Sequence, residues 1–199
     1  MIIVDIETTG IDSKKHAIID IGAVDFNNPK NTFSIQCKLF DGALIDEESL
    51  EINGYSIEEI NSHKYSQEEA IIMFSNWIAD IQGDRTLCAH NIFFDYSFLK
   101  ETYKRCNLLF PFSKRILDSH STMYNKHLEL GLEIPLDNKN CSNLSSKILA
   151  NFVGLPEEPK DHKGINGAKW EAEAYSRIVL GKNLLEEFKI YDIPKYLSK

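Results

Sequence analysis

This 199-residue sequence has no run of about 18 consecutive apolar residues, so no membrane-spanning helix is expected. Cysteine is scarce. Cys37, Cys88, Cys106 and Cys141 lie far apart and form no C-x-x-C pair, which argues against a disulfide framework or a thiolate zinc site and suits a reduced, cytoplasmic protein. Basic residues are outnumbered: 22 Lys and Arg stand against 30 Asp and Glu, a net charge of -8. A protein that coats duplex nucleic acid is normally basic, so that class is excluded, whereas an enzyme that grips a few nucleotides through metal ions is not. The chain has no G-x-G-x-x-G dinucleotide turn, no repeat and no low-complexity segment. Its first residues are strand-like and acidic, unlike a signal peptide.

What is present suits one globular domain with a sizeable core: 43% of residues are hydrophobic and 26% charged. Residues 1–7, "IIDIGAVDF" (18–26) and "TFSIQCKLF" (32–40) predict three strands, the last two joined by the turn-rich "NNPKN" and therefore antiparallel. A short helix is expected at "SIEEI". A longer one follows Ser66, where Ser66 and Glu69 form an S-x-x-E capping box. Short strands at 85–90 and 114–118 alternate with helices over 94–107, to about 130, over 143–154 and over about 163–180. The fold class is α/β with a mixed sheet. The expected domain covers 1–182, with 183–199 as a C-terminal extension.

Charge enters this pattern at one odd place. Asp5 and Glu7 interrupt the apolar first strand, and positions two apart on a strand share a face. The bland reading is an edge strand with both acids in water. The sharper one is a cation site, because paired carboxylates suit Mg²⁺ or Mn²⁺. A second cluster, "AHNIFFDYSFL" (89–99), sets Asp95 at the start of a helix just after a strand, where α/β sheets gather ligand sites; a first-turn acid matching the helix dipole is the plainer alternative. His90 and Asn91 suit a turn, and Phe93, Phe94 and Phe98 suit a core. His162, just before the last helix, is either an exposed turn histidine or a general base with a pKa near neutrality.

"VDIETTG", then "HNIFFD", then a histidine before a C-terminal helix, in this order, resemble the DEDDh group of 3'-5' exonucleases, which have a ribonuclease H-like fold and include the proofreading subunits of replicative polymerases. The resemblance covers almost the whole chain. It implies a five-stranded mixed sheet with helices on both faces, the second strand antiparallel, and the first and fourth strands adjacent and central. It also implies two Mg²⁺ or Mn²⁺ ions about 3.5–4 Å apart that clamp an in-line attack on a phosphodiester. By resemblance, Asp5 bridges both ions, Glu7 binds one, Asp95 supports the second, and His162 accepts a proton from the attacking water. Thr8, Thr9, Gly10, His90, Asn91 and Phe94 are implied to lie beside the terminal nucleotide, with Gly10 letting the chain turn. The implied partner is the 3' end of single-stranded DNA or RNA, in a polymerase or repair complex.

The family's fourth acid stands five residues after the histidine, where this chain has Gly167. The alanine expected two after the histidine is also a glycine, Gly164. Three readings of Gly167 stay open. It is a natural loss that leaves a silent nucleic-acid-binding or scaffold protein; it is an acquired substitution, one base from an Asp codon; or Glu171, one turn on and about 6 Å along the helix axis, fills the gap. The last is the least favoured, because metal geometry tolerates only small errors.

Overall fold

A computed structural model describes residues 1–158 and 163–198. Five strands form one sheet: β1 (Ile2–Thr8), β2 (Ile18–Asp25), β3 (Thr32–Gln36), β4 (Leu87–Ala89) and β5 (Leu117–Asp118), in the order β3-β2-β1-β4-β5. β1 pairs antiparallel with β2 and parallel with β4, β2 antiparallel with β3, and β4 parallel with β5. The expected mixed sheet is present, with β1 central and β4 beside it. The edge-strand reading of Asp5 and Glu7 is thereby overturned, because β1 has a partner on each side.

The side-chain alternation of β1 explains its layering. Ile2, Val4 and Ile6 pack with Ala70, Ile71 and Phe74 of α3 (Gln67–Asp80) and with Phe98 and Leu99 of α4 (Phe93–Arg105). Ile3 joins Ala168 and Ala172 of α7 (Gly164–Leu180) on the opposite face. By the same alternation Asp5 and Glu7 also face α7. They are the two half-buried positions of an otherwise buried strand. A bulge between Glu7 and Thr8 breaks the β1–β2 register at this point, as bulges often do beside functional sites.

The connections follow local chemistry. The predicted capping box at Ser66 and Glu69 is formed. A helix absent from the sequence reading, α1 (Glu47–Asn53), is capped by Asp46 and closed by Gly54 at φ 75°; it precedes α2 (Ile57–Ser62). α5 (Ser119–Glu129) starts directly from β5, with Asp118 as its cap. α6 (Ser146–Val153) stops at Gly154.

Helix α7 is the organising element. Its first residue, Gly164, lies on the sheet backbone. A Cβ there would be 2.6 Å from Gly22 N and 2.8 Å from Asp5 O, and a Cβ on Gly22 would overlap the Gly164 carbonyl. The benefit of a glycine here is a backbone-to-backbone seat. At the far end, the fully buried Arg177 donates to Glu173 Oε1 at 2.8 Å and to the carbonyls of Val153, Phe188 and Tyr191. Glu173 Oε2 accepts from the N–H groups of Leu184 and Leu185. Residues after α7 are thus tied onto the body, with Leu197 buried against the Trp170 cluster.

Candidate active site

The strand ends, the start of α4 and the inner face of α7 converge at the carboxyl-terminal edge of β1, β4 and β5, the usual ligand crevice of an open α/β sheet. Asp5 comes from β1 and faces α7. Its Oδ2 is shut off from solvent and has no hydrogen-bond partner among the described residues. Burial, reinforced by the charges of Glu7, Glu171, Glu158 and Asp95, holds its pKa well above the usual carboxylate range. Glu7 is pushed up to about 9 by burial and then by Glu158, Asp20 and Asp95. Asp95 is 5% exposed and is pushed up to about 8, chiefly by burial; the N–H groups of Asp95 itself and Ile6 oppose that rise.

Asp5, Glu7 and Asp95 therefore act on one another electrostatically. Two further acids join them. Glu171 is 9% exposed and accepts from His90 N at 3.0 Å; burial, then Asp95 and Glu158, raise its pKa. It does lie on the same helix face as Gly167. Glu158, on the loop before α7, was not singled out in the sequence, where "LPEEPK" shows no more than an acidic turn between prolines. A Cβ on Gly167 would overlap Asp5 Oδ2 and lie 2.6 Å from Glu158 Oε1. Asp20, paired with Glu7 across β1 and β2, is held instead by the Tyr55 hydroxyl at 2.6 Å.

So many repelling, poorly hydrated carboxylates need counter-charge. Hard oxygen donors with a buried orphan oxygen at their centre fit Mg²⁺ or Mn²⁺. Among the described residues no three His, Cys, Asp or Glu side chains close into a ready-made metal cage. His162 lies outside the described residues.

Beside the acids runs an apolar cleft. A pocket of about 190 Å³ is bounded by Glu7, Thr8, Gly10, Ile11, Ile52 and Phe94. A second, of about 330 Å³, shares Ile11 and Phe94 and adds Asn91 and Phe93. Thr8, Gly10, Asn91 and Phe94 line these pockets. Thr9 does not: it is fully buried, its N–H donates to Ala17 O and its hydroxyl to Leu44 O. The His90 ring is turned to Ser119 Oγ at 2.9 Å, and its contribution to the acidic cluster is its N–H. The chain bends at Gly10, and a Cβ there would overlap the His16 ring. Ile11 was missed; at 79% exposure it follows the first motif directly, and that position was the available signal.

The sequence profile of the exonuclease family (RNase_T) matches residues 2–175. Ribonuclease T of Blochmanniella pennsylvanica is 28% identical over 122 residues, which is 54% of this chain and 55% of that protein. The 3'-5' DNA exonuclease Cap18 of Escherichia coli is 26% identical over 181 residues, 88% of this chain and 89% of its own. This chain thus spans about half the length of the first of these relatives. The nuclease domain of 3'hExo, a DEDDh family member bound to rAMP, superposes with a TM-score of 0.71 at 14% identity over 93% of this chain and 94% of that one. The chain belongs to the RNase_T exonuclease family.

Proposed function

We propose that this protein removes nucleotides from the 3' end of single-stranded DNA or RNA by metal-assisted hydrolysis of the phosphodiester. The observation that supports this most is the acidic cluster with an orphaned Asp5 oxygen, set beside an apolar cleft. Asp5 and Glu7 would hold one Mg²⁺ or Mn²⁺ ion, and Asp5 with Asp95 a second. The pair, when bound, supplies the positive charge that activates water and neutralises the leaving oxygen. Thr8, Gly10 and Phe94 orient the terminal nucleotide against Glu7, the aromatic ring stacking on a base. His162 takes the proton of the attacking water. Gly167 leaves α7 without a carboxylate at the position of the family's fourth acid, which makes this chain a slower nuclease than its architecture suggests unless another side chain supplies that carboxylate.

The glycine also favours a second reading, a catalytically silent nucleic-acid-binding or scaffold protein. Labelled single-stranded DNA and RNA oligomers, incubated with the full chain and Mn²⁺, separate the two. Stepwise loss from the 3' end, abolished by EDTA and by Asp5→Ala, is the expected result. Binding of the strand with no release at stoichiometric protein would establish the silent reading.

A further inference from the structure

We propose that Glu158, in the segment before α7, supplies the carboxylate that the helix lacks at Gly167, so that a bound cation draws together Asp5, Glu7 and Glu158, which do not close into a cage by themselves. The inference rests on the metal-assisted nuclease reading and deepens it.

The geometry starts from Gly167. A side chain there would begin 2.6 Å from Glu158 Oε1 and on top of Asp5 Oδ2. An aspartate carboxylate lies one bond beyond its Cβ, so the Glu158 carboxylate already occupies the neighbourhood of the missing group. It reaches that place from the loop instead of the helix, and it can do so because residue 167 has no Cβ. Gly167 is then the condition for a relocated ligand rather than a bare loss.

The surroundings separate Glu158 from the other candidate. Among the charges acting on Glu7, that of Glu158 is the largest, ahead of Asp20 and Asp95. Among those acting on Glu171, Asp95 comes first, and one Glu171 oxygen is already engaged by His90 N–H at 3.0 Å. Glu158 thus acts most directly on Glu7 and Glu171 on Asp95, while Asp5 lies between them and feels Glu171 ahead of Glu158; the engaged Glu171 oxygen and the position of Glu158 Oε1 beside Gly167 favour Glu158. The independent sign that this place takes a ligand is Asp5 Oδ2, buried with no hydrogen-bond partner among the described residues and pressed against Gly167.

Mn²⁺ titration calorimetry on the full chain, with thermal shift as a second readout, tests this. Glu158→Gln is expected to weaken Mn²⁺ binding by at least about tenfold. Gly167→Ala should weaken it too, although alanine normally strengthens a helix interior. Moving the carboxylate back to the helix in Glu158→Ala/Gly167→Asp, where the shortened residue 158 frees the space beside residue 167, should recover at least part of the affinity lost in Glu158→Gln. Unchanged binding in Glu158→Gln, with binding lost in Asp5→Ala, would overturn the role of Glu158 and leave the nuclease reading intact. A loss in Glu158→Gln that Glu158→Ala/Gly167→Asp fails to recover even in part would overturn it as well. If Asp5→Ala also binds Mn²⁺ like the starting chain, the metal-assisted reading falls and the inference with it.

Discussion

Gly22 of β2 and Gly164 of α7 meet backbone to backbone, with room for a side chain on neither. This contact sets the height of α7 over the sheet, and with it the positions of Gly167 and Glu171 over Asp5. Gly164→Ala should therefore destabilise the protein by about 1–3 kcal/mol through overpacking, a melting-temperature loss of roughly 2–4 °C per kcal/mol in a chain of this size. Thermal denaturation followed by circular dichroism checks it. A melting temperature that rises would mean that the ordinary helix preference for alanine outweighs the close approach.

Without metal, the acidic cluster should make stability fall as pH rises. Glu7 at about 9 and Asp95 at about 8 both titrate above their ordinary 4.5 and 3.8. The folded, metal-free chain then binds more protons than the unfolded one across that window, so their contribution is fully present below about pH 4 and is lost as pH climbs through 8 to 9. In EDTA, the melting temperature is expected to be higher near pH 5.5 than near pH 8.5. Saturating Mn²⁺ should raise it most at the higher pH, where the carboxylates are ready to bind. A melting temperature that climbs with pH in EDTA would contradict the cluster's electrostatics.

Phe94 lines both apolar pockets, the smaller of which also touches Glu7. Phe94→Ala should raise KM for a single strand by about tenfold or more, with a smaller change in kcat, because stacking a base on an aromatic ring is worth about 1–3 kcal/mol. The ring also packs on Phe98 at 4.8 Å, so Phe94→Leu, which keeps apolar bulk but no aromatic face, is the cleaner variant. Steady-state kinetics on oligomers of fixed length read the split. Equal losses in Phe94→Leu and Phe94→Ala would agree with base stacking; retention of KM in Phe94→Leu would reduce the role of Phe94 to packing.

Tyr55 donates to Asp20 Oδ2 at 2.6 Å, and Gln36 Nε2 reaches Tyr55 Oη at 2.7 Å. Removing the hydroxyl leaves a buried carboxylate short of a donor. Tyr55→Phe is expected to cost about 1.5–3 kcal/mol, the range for hydrogen bonds to charged groups. Chemical denaturation with an unchanged slope would locate the loss in the folded state.

The strands, the main helices and the acids of β1 and α4 were readable in the chain because their signals are local. Apolar β-branched runs, an S-x-x-E cap and carboxylates two apart each act within a few residues. The short helix α1 escaped notice because its apolar face is slight; its cap and its closing glycine carry it. Thr9 was placed beside the substrate by its motif, whereas the fold turns its backbone and hydroxyl into bonds with Ala17 and Leu44. The meaning of the glycines belonged to the tertiary structure alone. Gly164 is explained by Gly22, 142 positions earlier, and Gly167 by carboxylates arriving from β1 and from the loop at Glu158. Sequence periodicity reports which face of an element is apolar, but a close approach between distant backbones leaves no periodic trace. It becomes visible when α7 is seated on the sheet and the space a side chain would need is already filled.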